Sequence, residues 1–294
     1  MNQSAPALPR SPQEILLHPD FAKARYEHCS QALMLFSDVN FTRANMAVGR
    51  NLLFSVLMCL RAGYDPDDRL TWPTIARVND ILGGMNIGSR RMAEDFIARL
   101  REMDFLVEVP APQDRRSKLF MPTARMIEHD RRYSASLFAG LTALPSEPHF
   151  SAKMVSEPHF HMALRRIGLA NLGNTPKLFG RHRDLIALFN RDGAYGLICW
   201  IVVEVSNSSP AFLSFTDVSR KLSISRSHVR NVIDELEATA MVGVSGQGDE
   251  RRIEARAGLY ALLDPLLADI MSVQDGLAWL IHYGETDVPF LNGE

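Results

Sequence analysis

One pattern is written twice in this 294-residue chain. In the second half, Ser225-Arg-Ser-His-Val229 leads on to Ile233, Leu236 and the pair Met241-Val242. In the first half, Ser89-Arg-Arg-Met-Ala93 leads on to Ile97, Leu100 and the pair Phe105-Leu106. Each run has a serine, then small or apolar residues four, eight and eleven positions on, then an apolar pair sixteen and seventeen on, at a constant offset of 136. A fixed internal period means that one supersecondary unit is built twice, and it prunes the possible folds more than any composition figure. The spacing predicts a helix in each copy. Ser89 and Ser225 cap its first turn, and Ala93, Ile97, Leu100 and Val229, Ile233, Leu236 form one apolar stripe.

The apolar pair then opens a strand, Phe105–Val109 in copy one and Met241–Ser245 in copy two. Charged turns follow, Pro110-Ala-Pro-Gln-Asp-Arg-Arg and Gly246-Gln-Gly-Asp-Glu-Arg-Arg, and then second strands near Lys118–Met121 and Arg252–Ala255. A shorter helix precedes each serine. In copy two it is Ser214-Phe-Thr-Asp-Val218 to Leu222. In copy one Thr71 is expected as the cap, with Pro73 in the first turn and Ile75, Val78 and Leu82 as the stripe. Upstream lies a strongly apolar helix in each copy, Arg50–Ala62 and Tyr195–Val205, and a last helix is expected over 257–283.

Two helices, a short link and an Arg-tipped hairpin resemble the winged helix-turn-helix. Copy one resembles the MarR family of bacterial transcription regulators through Phe105-Leu106-Val107, Asp114-Arg115-Arg116-Ser117-Lys118 and Pro122-Thr123. Copy two resembles it through Ser223-Ile-Ser225-Arg226, with a looser wing at Asp249-Glu-Arg251-Arg252. The likeness covers roughly residues 45–135 and 193–283. It implies a mainly α fold with small β-hairpin wings, a tandem winged helix-turn-helix in which the outer helices join the copies as an intramolecular pseudo-dimer. It also implies a small-molecule effector. Two departures stand out. Family members carry one such unit and dimerise, and copy one has an extended link, Gly83-Gly84-Met-Asn-Ile-Gly88.

Whole-chain charge does not identify the partner: 32 Lys and Arg against 34 Asp and Glu exclude only a globally basic binder. Charge order along the elements says more. Arg90 and Arg91, like Arg226 and Arg230, precede the acids of their helices, against the preference of the helix dipole. A recognition helix meets base edges with its N-terminal residues. Arg90, Arg91, Ser225, Arg226, Ser227, His228 and Arg230 are therefore expected in the major groove of double-stranded DNA. Arg115, Arg116, Arg251 and Arg252 are expected at the minor groove or backbone, with Lys118 on phosphate and Asp114 orienting a wing arginine. Six cations against one acid between His161 and Arg191 suggest a DNA-tracking linker, a site for an acidic partner, or a solvated linker.

The expected organisation is an N-terminal tail and helix at 1–40, copy one at 41–140, a linker at 141–180, and copy two with its C-terminal helix at 181–294. The duplicated Ser146-Glu-Pro-His-Phe150 and Ser156-Glu-Pro-His-Phe160, with His161, raise a metal site, but zinc spacing with cysteine is absent and no metal or cofactor is expected. Cys29, Cys59 and Cys199 are scattered, which fits reduced buried thiols, with Cys29 the candidate redox sensor. No GxGxxG, Walker or HExxH pattern occurs, so a binder rather than an enzyme is expected. Without a signal-like leader or a bilayer-length apolar run, a cytoplasmic chain is expected, acting as a monomeric pseudo-dimer or as a homodimer. Two other readings stay open: a plasmid-type replication initiator, and a tandem winged-helix scaffold that binds protein and not DNA.

Overall fold

The computed structural model describes residues 8–37, 47–85, 88–144, 155 and 157–283. It is mainly helical, with two small antiparallel sheets. Helices α1 (Pro12–Leu16) and α2 (Phe21–Met34) lead into copy one: α3 (Val48–Ala62), α4 (Ile75–Gly84), α5 (Arg90–Glu102), β1 (Leu106–Pro110), β2 (Lys118–Pro122) and α6 (Ala124–Thr142). Helices α7 (Pro158–Asn171), α8 (Thr175–Arg181) and α9 (Arg183–Phe189) lead into copy two. That copy is α10 (Ala194–Asn207), β3 (Ala211–Phe212), α11 (Phe215–Leu222), α12 (Arg226–Ala238), β4 (Val242–Ser245), β5 (Arg252–Ala255) and α13 (Ala257–Tyr283).

The repeat holds at the level of single backbone bonds. Ser89 Oγ accepts the Met92 N–H at 3.2 Å, and Ser225 Oγ accepts the His228 N–H at 3.1 Å. The stripes Ala93, Ile97, Leu100 and Val229, Ile233, Leu236 are buried. Both helices end in the same Schellman motif. Asp104 and Ala240 take left-handed φ of 57° and 56°, and the N–H groups of Phe105 and Met241 reach back to Leu100 and Leu236 carbonyls at 2.8 Å. The hairpins return to the same place, with Thr123 N–H on Phe105 O and Arg256 N–H on Met241 O, both at 2.9 Å.

Two local features differ from expectation. Thr71 does not cap α4: its hydroxyl is tied to the preceding turn through Asp65 and Asp68 carbonyls, and Thr74 caps instead, accepting the Arg77 N–H at 3.2 Å. Copy two has a third strand, β3, pairing with β5 (Ala211 opposite Ile253), whereas the corresponding bond in copy one is the single Phe120 N–H on Pro73 O at 2.9 Å.

The helices before each copy cross over to the other. Helix α2, ahead of copy one, packs on α10 of copy two and on α6. Helix α7, ahead of copy two, packs on α3 of copy one and on α13. Helices α6 and α13 pack on each other. Each of these contacts has its counterpart when the copies are exchanged. Gly140 allows the central crossing, since a Cβ there would lie 2.2 Å from Met271 and 3.0 Å from the Ala24 carbonyl. Ion pairs reinforce both sides: Arg165 of α7 holds the fully buried Asp130 of α6 at 2.5 Å, and Arg25 of α2 holds Asp264 of α13 at 2.6 Å. One large core runs through α2, α6, α7 and α9 to α13, and a second, within copy one, is built around Leu53, Phe54, Val78, Phe96, Leu100 and Phe105.

Candidate nucleic-acid interface

Copy two gathers its cations around two phenylalanines. Phe215 opens α11, and the guanidinium groups of Arg230 from α12 and Arg251 from the hairpin both lie over its ring, at 5.3 and 4.5 Å from the centroid. Arg252 lies over the half-exposed Phe212 ring at 5.1 Å. Such stacking holds an arginine while leaving its N–H groups available. Arg226 and Ser227 are exposed beside them, Ser227 Oγ being 3.0 Å from Ser225 Oγ. Among the described residues, Arg226, Arg230, Arg251 and Arg252 have no acid within ion-pair distance. The hairpin tip turns on Gly246 (φ 72°), where a Cβ would lie 2.5 Å from the Glu250 carbonyl.

His228 is placed differently from its neighbours. Its Nε2–H donates to the Asp192 carbonyl at 2.6 Å, which anchors the ring to the turn before α10. The same turn holds Glu235 of α12 through Arg191 at 2.5 Å, and Asp192 pairs with Arg50 of α3. One turn thus joins the first helix of copy one to the middle of copy two.

Copy one presents a different surface. Arg90 Nε pairs with Glu94 at 2.7 Å and Arg91 with Asp95 at 3.9 Å, both one turn along α5. Lys118 is drawn to Glu108 at 2.6 Å, with Arg101 on the other carboxylate oxygen at 3.2 Å. The Lys118 hydrogen bond, with the charges of Lys118 and Arg101, holds the Glu108 carboxyl below its ordinary value against desolvation. Arg115 and Arg116 stand exposed at the hairpin tip. Asp114 shapes that tip rather than gripping a guanidinium: it accepts the Ser117 hydroxyl at 2.9 Å and the Arg116 backbone N–H at 3.1 Å. Those bonds, Ser117 first, lower its pKa.

The basic run between the copies is not a free strip. Arg165 is buried on Asp130, Arg166 donates to the Ala62 carbonyl at 3.2 Å, Arg181 pairs with Asp269 at 3.0 Å, and Arg191 is on Glu235. His161 is buried too, its Nε2 2.6 Å from Asp130. No cluster of three metal-ligating side chains occurs among the described residues, and His149 lies outside them. Cys29 is fully buried, and a Cys199 hydrogen bond together with burial holds its thiol well above the ordinary value. That environment is the opposite of what a redox sensor needs, and all three cysteines lie buried as free thiols, the reading the sequence favoured over a sensor at Cys29. Burial pushes the Cys59 thiol up to about 11.

Sequence reasoning missed the Phe212 and Phe215 platform, although two aromatics flanking a capping serine were its visible signal. It also did not locate a cavity of about 340 Å³ between α2, α3, α6, α8, α9 and α13. Phe36, Phe54, Phe179 and Tyr195 give it apolar walls, with Asn51, Tyr133 and Arg165 as polar points. No single helix among the described residues is long and apolar enough to cross a membrane. No protein-family model, curated protein or solved structure matches this chain.

Proposed function

We propose that this chain is a cytoplasmic, DNA-binding transcription regulator made of two winged helix-turn-helix units, with α12 as a recognition helix, α5 in the equivalent position of copy one, and the two hairpins as wings. The observation that carries this reading is the arginine cluster of copy two. Arg226 and Arg230 stand on the first two turns of a capped helix, beside Arg251 and Arg252 of the adjoining hairpin, and among the described residues no acid pairs with any of them. That is the cation placement a helix needs to enter a major groove while a hairpin follows the flanking backbone. The exchange of α2 and α7 between the copies supports an intramolecular pseudo-dimer, because a two-fold interface repeats every contact with its partners swapped. The apolar cavity beside α8 and α9 suits a small-molecule effector of mostly aromatic character. The chemistry is that of a binder, with no reaction assigned.

The self-neutralised surface of α5 favours one competing reading, a paired winged-helix scaffold that binds protein. Selection from random-sequence duplex DNA at two salt concentrations separates them. A regulator enriches a defined motif, and its affinity falls steeply with salt because phosphate contacts release counterions. Salt-insensitive or absent binding would remove DNA as the partner and put the scaffold first. Genomic occupancy concentrated on a replication origin would move the function to initiation.

A further inference from the structure

We infer that the two copies are unequal readers: base discrimination resides in α12 with Arg251 and Arg252, whereas copy one holds the DNA backbone through Arg115 and Arg116 alone. This rests on the DNA-binding reading and goes beyond it. At the constant offset of 136, Arg90 corresponds to Arg226, Arg91 to Ser227, Glu94 to Arg230 and Asp95 to Asn231. The first two turns of α5 therefore carry two positive and two negative charges, and those of α12 carry two positive charges and no acid.

The ion pairs of α5 are exposed and weak in themselves, so pairing alone does not silence Arg90 or Arg91. Position decides the matter. Glu94 and Asp95 sit where a helix entering the groove meets phosphates and base edges, and they stay there when the arginines swing away. A carboxylate in that place is repelled by phosphate and by the acceptor-rich edge of guanine. In copy two the acids begin only at Asp234. Glu235 is turned to Arg191, and Glu237 accepts the Val244 N–H at 3.1 Å.

The supports of the two helices differ in the same sense. Phe215 stacks Arg230 and Arg251 together, so one guanidinium of the helix and one of the hairpin are held side by side, with the exposed Asp249 and Glu250 confined to the hairpin turn. In copy one the corresponding position is Ile75 by its place at the start of α4, which offers no such ring. The link before α5 is longer, and its Gly88 has a φ of 75°. Lys118, the other cation expected on DNA, lies 2.6 Å from the strand carboxylate of Glu108, which Arg101 also holds in place, so an acid stays beside it as Glu94 and Asp95 stay on α5. Only Arg115 and Arg116 remain exposed without an acidic partner among the described residues that the DNA reading placed in copy one.

The test uses the full chain and the duplex motif obtained by selection. Arg226→Ala with Arg230→Ala is expected to weaken binding at least a hundredfold and to erase sequence preference in one half of the motif, since a bidentate arginine–guanine pair is worth about tenfold to hundredfold. Arg90→Ala with Arg91→Ala is expected to change affinity less than about threefold and to leave the preferred sequence intact. Glu94→Gln with Asp95→Asn is expected to tighten binding severalfold, a gain that misfolding cannot imitate. Equal losses from the two arginine pairs, a selected motif with two like halves, or weaker binding by the Glu94→Gln, Asp95→Asn protein would overturn the inference while leaving DNA binding in place. Absence of salt-sensitive binding by the unaltered chain overturns the DNA reading and this inference together.

Discussion

Where copy one carries Glu94 and Asp95 on the second turn of α5, copy two carries Arg230 and Asn231 on the second turn of α12. Inside, the same helices scarcely differ: both begin on a serine cap, bury an equivalent stripe, end in a Schellman motif and hand over to a hairpin through matching backbone bonds. Burial has kept the positions that fold the unit and left the outward face free to change sign. The helices joining the copies tell a similar story. Asp130 is fully buried and held by Arg165 and His161, whereas Asp264, which is not its repeat equivalent but serves the other side of the seam, is partly open and, among the described residues, held by Arg25. Burial on its own would raise the Asp130 carboxyl, but the charge and hydrogen bonds of Arg165 and His161 outweigh it and leave the pKa low. For Asp264, desolvation wins over the Arg25 bond and the pKa is raised.

That difference gives the largest expected effect. Asp130→Asn leaves Arg165 buried without its countercharge and is expected to cost about 3–5 kcal/mol in denaturant unfolding. Asp264→Asn, whose Arg25 also lies over the Tyr260 ring at 4.1 Å, is expected to cost less than about 1 kcal/mol. Their pH signs are opposite. The folded pKa of Asp130 lies below the unfolded value of about 3.9, so its contribution is complete above that value and is lost as pH falls through the folded pKa. The folded pKa of Asp264 lies above its unfolded value, so the folded state gains stability from it as pH falls toward about 4. Equal costs for the two substitutions would break the comparison. A smaller effect tests the sameness of the copies: Ser89→Ala and Ser225→Ala should each lower stability by about 1 kcal/mol, because both hydroxyls cap in the same way. A cost at Ser225 well above that at Ser89 would mean the repeated backbone is not equally supported.

What the sequence made legible was local. The caps, the stripes and the hairpins follow from spacings of three, four and two residues, and a repeat at constant offset lets each copy check the other. The Thr71 cap failed because a hydroxyl chooses among nearby backbone groups, and the turn at Asp65–Asp68 competed successfully. The crossing of α2 and α7 was hidden for a different reason. Each buries one face, only weakly marked in the α2 sequence, and nothing in such a pattern names the surface that will cover it. The same limit misjudged the basic run from His161 to Arg191: Arg165 is written like any surface cation, and only the fold brings Asp130 to it. At the candidate site, the arginines were legible as a charge order along each helix. Which of them are neutralised by Glu94, Asp95 and Glu108 depended on side-chain direction, and the Phe215 platform depended on tertiary placement.

The central claim is tested most directly by the salt dependence of duplex binding, measured for the unaltered chain and for the Arg115→Ala, Arg116→Ala protein. The account predicts a steep linear fall of log affinity with log salt, and a slope about two units shallower when the two hairpin arginines of copy one are removed. A flat dependence for the unaltered chain, or a slope that the double substitution leaves unchanged, would contradict it.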